Sequence, residues 1–256
     1  MTISLRILGC SGGIGGDALR TTSLRVDDDI LIDAGTGVVD LTLDELVRID
    51  HVFVTHSHLD HIACLPLMAD SVGDLRQRPL VIHALPEVID ILHEHIFNWK
   101  VWPDFTKIPV ERPFLRYEPL AVGKTVTLGG RQITALPVDH TVPAVAYRVD
   151  SGAASLVFSG DTGPCDAFWE ALNGIDNLSH LIIECAFPDS EVRLAEVSKH
   201  FAPAVLASEL GKLRRPCALH ITHLKPALSD ETMLEVATAL AAWNPQRLYG
   251  GQVLVF

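Results

Sequence analysis

The segment THSHLDH, Thr55 to His61, places three histidines and an aspartate within six positions. Neutral imidazole and carboxylate groups share one chemistry, the binding of divalent metal ions. In an extended segment residues two apart point to one side, so His56 and His58 can converge on one ion. If a helix starts near Asp60, its carboxylate and the His61 ring face a second position, which the HExxH spacing of single-metal proteases does not provide. A polar strand end with Asp60 as a helix cap is the competing reading, and it suits one histidine better than three. Further donors close apolar runs: His140 in LPVDHTVP, Asp161 in FSGDTGP and His223 in HITHLKP. An aspartate between two ions can bridge them. Taken singly, the three are equally well a loop histidine, a turn residue before Gly163 and Pro164, and a partly buried polar end. Cys64, one helical turn beyond Asp60, reads as a packing thiol rather than a ligand.

The elements that must position these groups alternate. ISLRILG, TSLRV and ILIDAG read as strands around the glycine-rich turn CSGGIGG, which lacks the Gly-Lys-Ser/Thr of a phosphate loop. TGVVDLTLDELVRI is helical, HVFVT is a buried strand ending at the histidines, and CLPLMADSVGDLR, PLVIHAL and PEVIDILHEHIF continue as helix, strand and helix. Near residues 97–119 the pattern dissolves into an aromatic and proline-rich stretch, expected to run over the surface. KTVTLGGRQITALPV then predicts a hairpin at Gly129 and Gly130, followed by AVAYRVDS and ASLVFSGDTG as strands. A helix in DAFWEALNG, the strand HLIIECAF, helical segments over 190–213, the strand CALHITH, the helix DETMLEVATALAAW and a last strand RLYGGQVLVF complete the chain.

With 256 residues, 48% of them hydrophobic, the sequence suits one domain, 1–256. There is no apolar run that could span a membrane and no signal-peptide pattern at MTISLRILGC, so the expected location is the cytoplasm. Five scattered cysteines fit buried thiols of a reducing compartment. The net charge of -12 disfavours long nucleic acid, so a phosphate ligand should be small.

The order HxHxDH, then His140, then Asp161 in SGDTG, then His223 in THLKP resembles the metallo-β-lactamase superfamily, and the likeness runs from LGCSGG and LIDAG to THLKP. It implies an α/β fold, an αββα four-layer sandwich with two metals at one edge. By that pattern His56, His58 and His140 hold one ion, Asp60, His61 and His223 the other, and Asp161 bridges. Asp33 matches a position that orients a ligand. The ligand types favour Zn²⁺ and are compatible with Mn²⁺ or Fe²⁺.

Within the superfamily, Leu59 in HSHLDH, the segment LIIECAFPDSEVRLAEVSKHFAP and the aromatic HIFNWKVWPDF resemble class II 3′,5′-cyclic-nucleotide phosphodiesterases. That resemblance implies a metal-dependent phosphodiesterase opening cyclic AMP or cyclic GMP to the 5′-monophosphate. A hydroxide bridging the two ions would attack phosphorus, Asp60 would position it, and His200, oriented by Glu184, would be the general acid. Asn98, Trp99, Trp102 and Phe105 are candidates for holding the base, by stacking and by reading its edge. A homodimer contact or plain packing explains the same aromatics equally well. SKHFAP departs from the family's Gly-His-Leu-Thr-Pro, since Ala202 removes a hydroxyl, and Ala63 and Cys64 replace glycine-like residues. The alternatives are an RNA 3′-end nuclease of the same superfamily, a nucleotide-binding metal module with little turnover, and a thioester or lactone hydrolase.

Overall fold

The structure is a computed structural model that describes residues 2–16 and 18–256. The first half lays down β1 (Ser4–Gly9), β2 (Ser23–Val26), β3 (Ile30–Ile32), α1 (Leu43–Arg48), β4 (His51–Phe53), α2 (Leu59–Ile62), α3 (Leu65–Val72), β5 (Leu80–Ala84), α4 (Pro86–Ile91) and β6 (Leu115–Pro119). The second half adds β7 (Thr125–Leu128), β8 (Arg131–Pro137), β9 (Val145–Asp150), β10 (Ser155–Phe158), α5 (Asp166–Asn173), β11 (Leu178–Glu184), α6 (Val192–Ser198), α7 (Pro203–Leu210), β12 (Ala218–Thr222), α8 (Ser229–Ala239), β13 (Gln246–Arg247) and β14 (Val253–Val255).

Among the described residues these strands form two seven-stranded sheets, ordered β14-β1-β2-β3-β4-β5-β6 and β13-β12-β11-β10-β9-β8-β7. The strands β3 to β6 are parallel, as are β10 to β13. Strands buried on both faces need no alternation of polar and apolar residues, which is why ILI of β3, VF of β4 and LVF of β10 are unbroken apolar runs. Ile7, Ile32 and Phe53 of the first sheet meet Tyr147, Phe158 and Ile182 of the second in the central core. On one outer face Val52, Leu65, Met68 and Val88 pack together, and on the other Phe168, Trp169, Leu206 and Val236 do. The result is the αββα sandwich.

Three expectations need correction. The TGVVDLTLDELVRI helix is broken: a short 3-10 turn, Thr36–Asp40, precedes α1, where Thr42 caps Glu45 and Glu45 caps Thr42 in return. The stretch 97–119 is only partly a surface excursion. Phe97 and Phe105 are buried in the outer core, and its last five residues are β6, an edge strand on β5. The LRYEP of that half-exposed edge strand lacks clean alternation, which hid it. Finally, the last expected strand is two, β13 in the second sheet and β14 in the first, so residues 248–252 cross between sheets.

Each parallel ribbon also carries a diagonal histidine pair. His51 Nδ1 lies 2.9 Å from His83 Nε2, and His180 Nδ1 lies 3.0 Å from His220 Nε2. In both ribbons the second histidine stands opposite the residue two beyond the first, Phe53 and Ile182 respectively. Burial pushes both His83 and His220 down to about 4.

Candidate metal centre

The chemistry-bearing residues gather where the strands end. His56, His58, Asp60 and His61 follow β4, His140 follows β8, Asp161 follows β10, Glu184 closes β11 and His223 follows β12. Loops at the carboxyl ends of parallel strands are the usual place for a site in such a sheet. His58 caps α2, and that helix turns Asp60 and His61 away from His56 and His58. Backbone bonds from Ala34 to His61 and from Cys64 to Ala34 clasp α2 to the LIDAG loop. Gly35 makes this clasp fit, because a Cβ there would stand 2.2 Å from the Asp60 carbonyl oxygen.

Two donor sets result, each with its atoms within 4.8 Å of one another: His56, His58, His140 and Asp161, then Asp60, His61, Asp161 and His223. All seven residues expected as ligands are therefore brought together. Cys64 is in neither set and packs in the outer core. In the first set His58 Nδ1 lies 3.1 Å from His56 Nε2 and 3.2 Å from His140 Nε2. Ligands about 2.0–2.1 Å from a tetrahedral zinc stand about 3.3 Å apart. Asp161 faces both sets: Oδ2 is 3.6 Å from His56 Nε2, while Oδ1 is 3.4 Å from His61 Nε2 and 3.3 Å from His223 Nδ1.

The hydrogen bonds around the rings decide where their lone pairs point. His140 donates from Nδ1 to the Lys199 carbonyl, which can only accept, so its Nε2 carries the lone pair. His61 donates from Nδ1 to Asp33 Oδ2 at 2.7 Å, with the same result. Thr55 gives its hydroxyl proton to Asp33 and so accepts from His56 Nδ1, leaving His56 Nε2 a lone pair as well. Three lone pairs and a buried carboxylate thus aim at shared points. Among the described residues, His61 Nε2, Asp161 Oδ1 and His223 Nδ1 are buried without a hydrogen-bond partner. Such a set is repulsive and poorly satisfied by itself, and a divalent cation at each point relieves it, so these residues fit a two-ion centre.

The charges of three rings agree with this, whereas at His61 burial is outweighed by Asp161 and Asp33, which hold that ring well above the ordinary imidazole range, so a cation there displaces a proton. Burial holds His56 well below the ordinary imidazole range, His140 at about 4 and His223 at about 3, so these rings are neutral, as metal ligation requires. Burial acts on Asp161 in the opposite sense, yet His223, His61 and His56 hold its carboxyl well below the usual range. Asp33 is raised by burial, an effect that His61 only partly offsets. Backbone strain marks the same place: Asp33, Lys199 and His223 have φ of 59°, 52° and 61°. Non-glycine residues in that region cost free energy and persist where the surroundings over-determine them.

The catalytic candidates stand beside the cluster. Glu184 accepts from His200 Nδ1 at 2.7 Å and from the Thr162 and Phe201 backbone amides. The His200 ring lies 5.1 Å from that of His140 and stacks 5.2 Å from that of His223. Burial lowers His200, but the Glu184 carboxylate outweighs it and leaves the ring above its ordinary value.

The base-holding candidates fare differently. Phe105 is buried between Phe97 and Phe114, and the Asn98 side chain donates to the Glu94 carbonyl and accepts from the Lys100 and Val101 amides. Trp99 is exposed and Trp102 half-buried, and neither makes a ring contact or hydrogen bond with the cluster. Conversely, Thr55, the Lys199 carbonyl and Lys225 adjoin the ligands without having been singled out. Lys225 stood in the quoted THLKP motif, and only the fold shows its reach.

Comparison with known proteins follows the geometry. A family model for a beta-lactamase superfamily domain matches residues 28–250. The chain belongs to the β-lactamase superfamily. Among superfamily relatives, a Yersinia pestis protein named "Probable 3′,5′-cyclic-nucleotide phosphodiesterase" is 26% identical over 274 residues, covering 87% of this chain and 78% of its own. Ribonuclease Z of Mycobacterium bovis is 27% identical over 217 residues, covering 77% and 76%. The crystal structure of the metallo-beta-lactamase fold protein YhfI from Bacillus subtilis superposes over 100% of this chain and 99% of that one, with a TM-score of 0.79 at 19% identity. The superfamily fold implies binding of a divalent metal.

Proposed function

We propose that this superfamily member is a dinuclear metal-dependent phosphodiesterase that opens 3′,5′-cyclic AMP or GMP to the 5′-monophosphate. The observation that carries the reading is the Glu184–His200 pair beside the cluster, 2.7 Å apart, which simple ester or lactone hydrolysis does not need. The Yersinia pestis relative supports the cyclic-nucleotide substrate. Two ions, zinc by ligand type with manganese or iron compatible, would be held by His56, His58 and His140, by Asp60, His61 and His223, and by Asp161 between them. When bound they would polarise phosphoryl oxygens and lower the pKa of water from 15.7 toward about 7.

The chain's own residues do the rest. Asp60 is the half-exposed carboxylate of the set, with Oδ2 3.7 Å from His223 Nε2, and it orients the attacking water and takes its proton. Attack on phosphorus breaks the bond to the 3′ oxygen, and the departing oxygen requires a proton. Glu184 fixes the proton on His200 Nδ1, so the ring donates from Nε2, and the carboxylate stabilises the charged form that precedes transfer. Incubating zinc-loaded protein with cyclic AMP, cyclic GMP, bis(p-nitrophenyl) phosphate and a pre-tRNA tests this. Conversion of a cyclic nucleotide to the 5′-monophosphate is expected. Processing of the RNA alone would replace the reading with RNA 3′-end trimming, which the ribonuclease Z relative supports and the net charge of -12 opposes. Tight nucleotide binding without turnover would make the protein a binding module.

A further inference from the structure

We propose that Lys225 is the anchor for the substrate's phosphate, the residue that gives the site its preference for an anionic diester; this rests on the phosphodiesterase reading above. Its ammonium stands at the rim of the second donor set, with Nζ 3.2 Å from His223 Nε2 and 3.0 Å from the Gly12 carbonyl oxygen. An ammonium has three donors, and those two contacts leave the third without a protein acceptor among the described residues. The side chain is held rather than free. Its backbone amide donates to Ala186, its Nζ lies 5.9 Å from the centre of the Phe187 ring, and that ring in turn lies 5.8 Å from His200.

Gly12 shows that the passage for this stem is built. A Cβ on Gly12 would stand 2.5 Å from the His223 carbonyl oxygen and 2.9 Å from Lys225 Cδ, so glycine brings this backbone close to both the ligand strand end and the lysine stem. The cation therefore sits against His223 and against the Phe187 ring that faces His200, in a protein whose overall charge repels anions. A phosphodiester placed for attack has non-bridging oxygens that carry its charge, and the free donor of Lys225 meets one of them. Were a divalent ion held by His223, the donor that Lys225 gives that ring would be free for the same oxygens. The arrangement differs from His200, which acts on the bridging oxygen that departs.

The test uses zinc-loaded parent protein, Lys225→Ala and Lys225→Arg. Calorimetric titration with 5′-AMP, with adenosine and with inorganic phosphate isolates the phosphate contact, while metal content is measured on the same samples. Lys225→Ala should lose about 10- to 100-fold in affinity for AMP and phosphate, the range for loss of a charge-assisted hydrogen bond. Adenosine affinity and metal content should hold, and the arginine variant should recover part of the loss. In turnover, the loss should fall on KM more than on kcat. Unchanged phosphate affinity overturns the proposal, and so does loss of metal in Lys225→Ala, which would make the lysine a clasp on His223. The phosphate titration needs no cyclic nucleotide, so failure of the cyclic-nucleotide reading shows in the parent's turnover and failure of the Lys225 proposal in the titration.

Discussion

His61 shows how much of the site is set by groups that never touch substrate. Its ring is fixed by Asp33, whose carboxylate also accepts from the Thr55 amide and hydroxyl, so a buried carboxylate held by three bonds aims one imidazole. Replacing such an outer partner typically costs 10- to 100-fold in metal affinity. Asp33→Ala should weaken zinc binding by about that range in a competitive chelator titration, and full affinity would show that His61 needs no aiming. His200 calls for the opposite result. It lies beside the ligands but outside both donor sets, so His200→Ala should retain both metals and lose turnover by about 10²- to 10⁴-fold. Emptying of the site would reassign His200 as a ligand.

At the scale of elements, α2 is the critical piece. One turn of helix separates donors that face the first position from donors that face the second, and Gly35 allows it to dock. Gly35→Ala must push the Asp60 carbonyl away, and the Thr21 hydroxyl and Thr22 carbonyl, 2.5 and 2.6 Å from the added Cβ, crowd the same place. Metal analysis of that variant should show the ion of Asp60, His61 and His223 lost before that of His56, His58 and His140. Equal loss of both would mean that the two positions fill as a unit. Much of this element was legible, because HSHLDH carries both the extended period and the helix start. What escaped was anything requiring two distant loops to meet. The Lys199 carbonyl reaches His140 across 59 residues, and Lys225 reaches Gly12 across 213. The aromatic stretch misled for a related reason: composition registers a large apolar surface and says nothing about which side of the chain buries it.

Across the whole molecule, the two histidine pairs make stability sensitive to acid through groups outside both donor sets. Above an ordinary imidazole value of 6.5 these rings are neutral in both folded and unfolded chains. As pH falls from 6.5 toward 4, the unfolded chain binds protons that buried His83 and His220 refuse, so stability declines through that window and levels below about 4. Urea unfolding of the double variant His83→Gln, His220→Gln should show a shallower decline between pH 6.5 and 4.5 than the parent. Parallel slopes would mean that other groups carry the acid response. The repeated diagonal also shows that both halves use one ribbon design.

The Cys10 carbonyl accepts both the His223 amide at 2.8 Å and the Thr222 hydroxyl at 3.2 Å, so β12 is tied to the loop that follows β1. During synthesis on the ribosome, His56 to His61 emerge early, and the partner that completes the second donor set emerges only after β12 has been made. A growing chain could hold an ion at the first position well before the second exists, so the two ions would be acquired in order. Until that late strand docks, the early imidazoles are an open chelate.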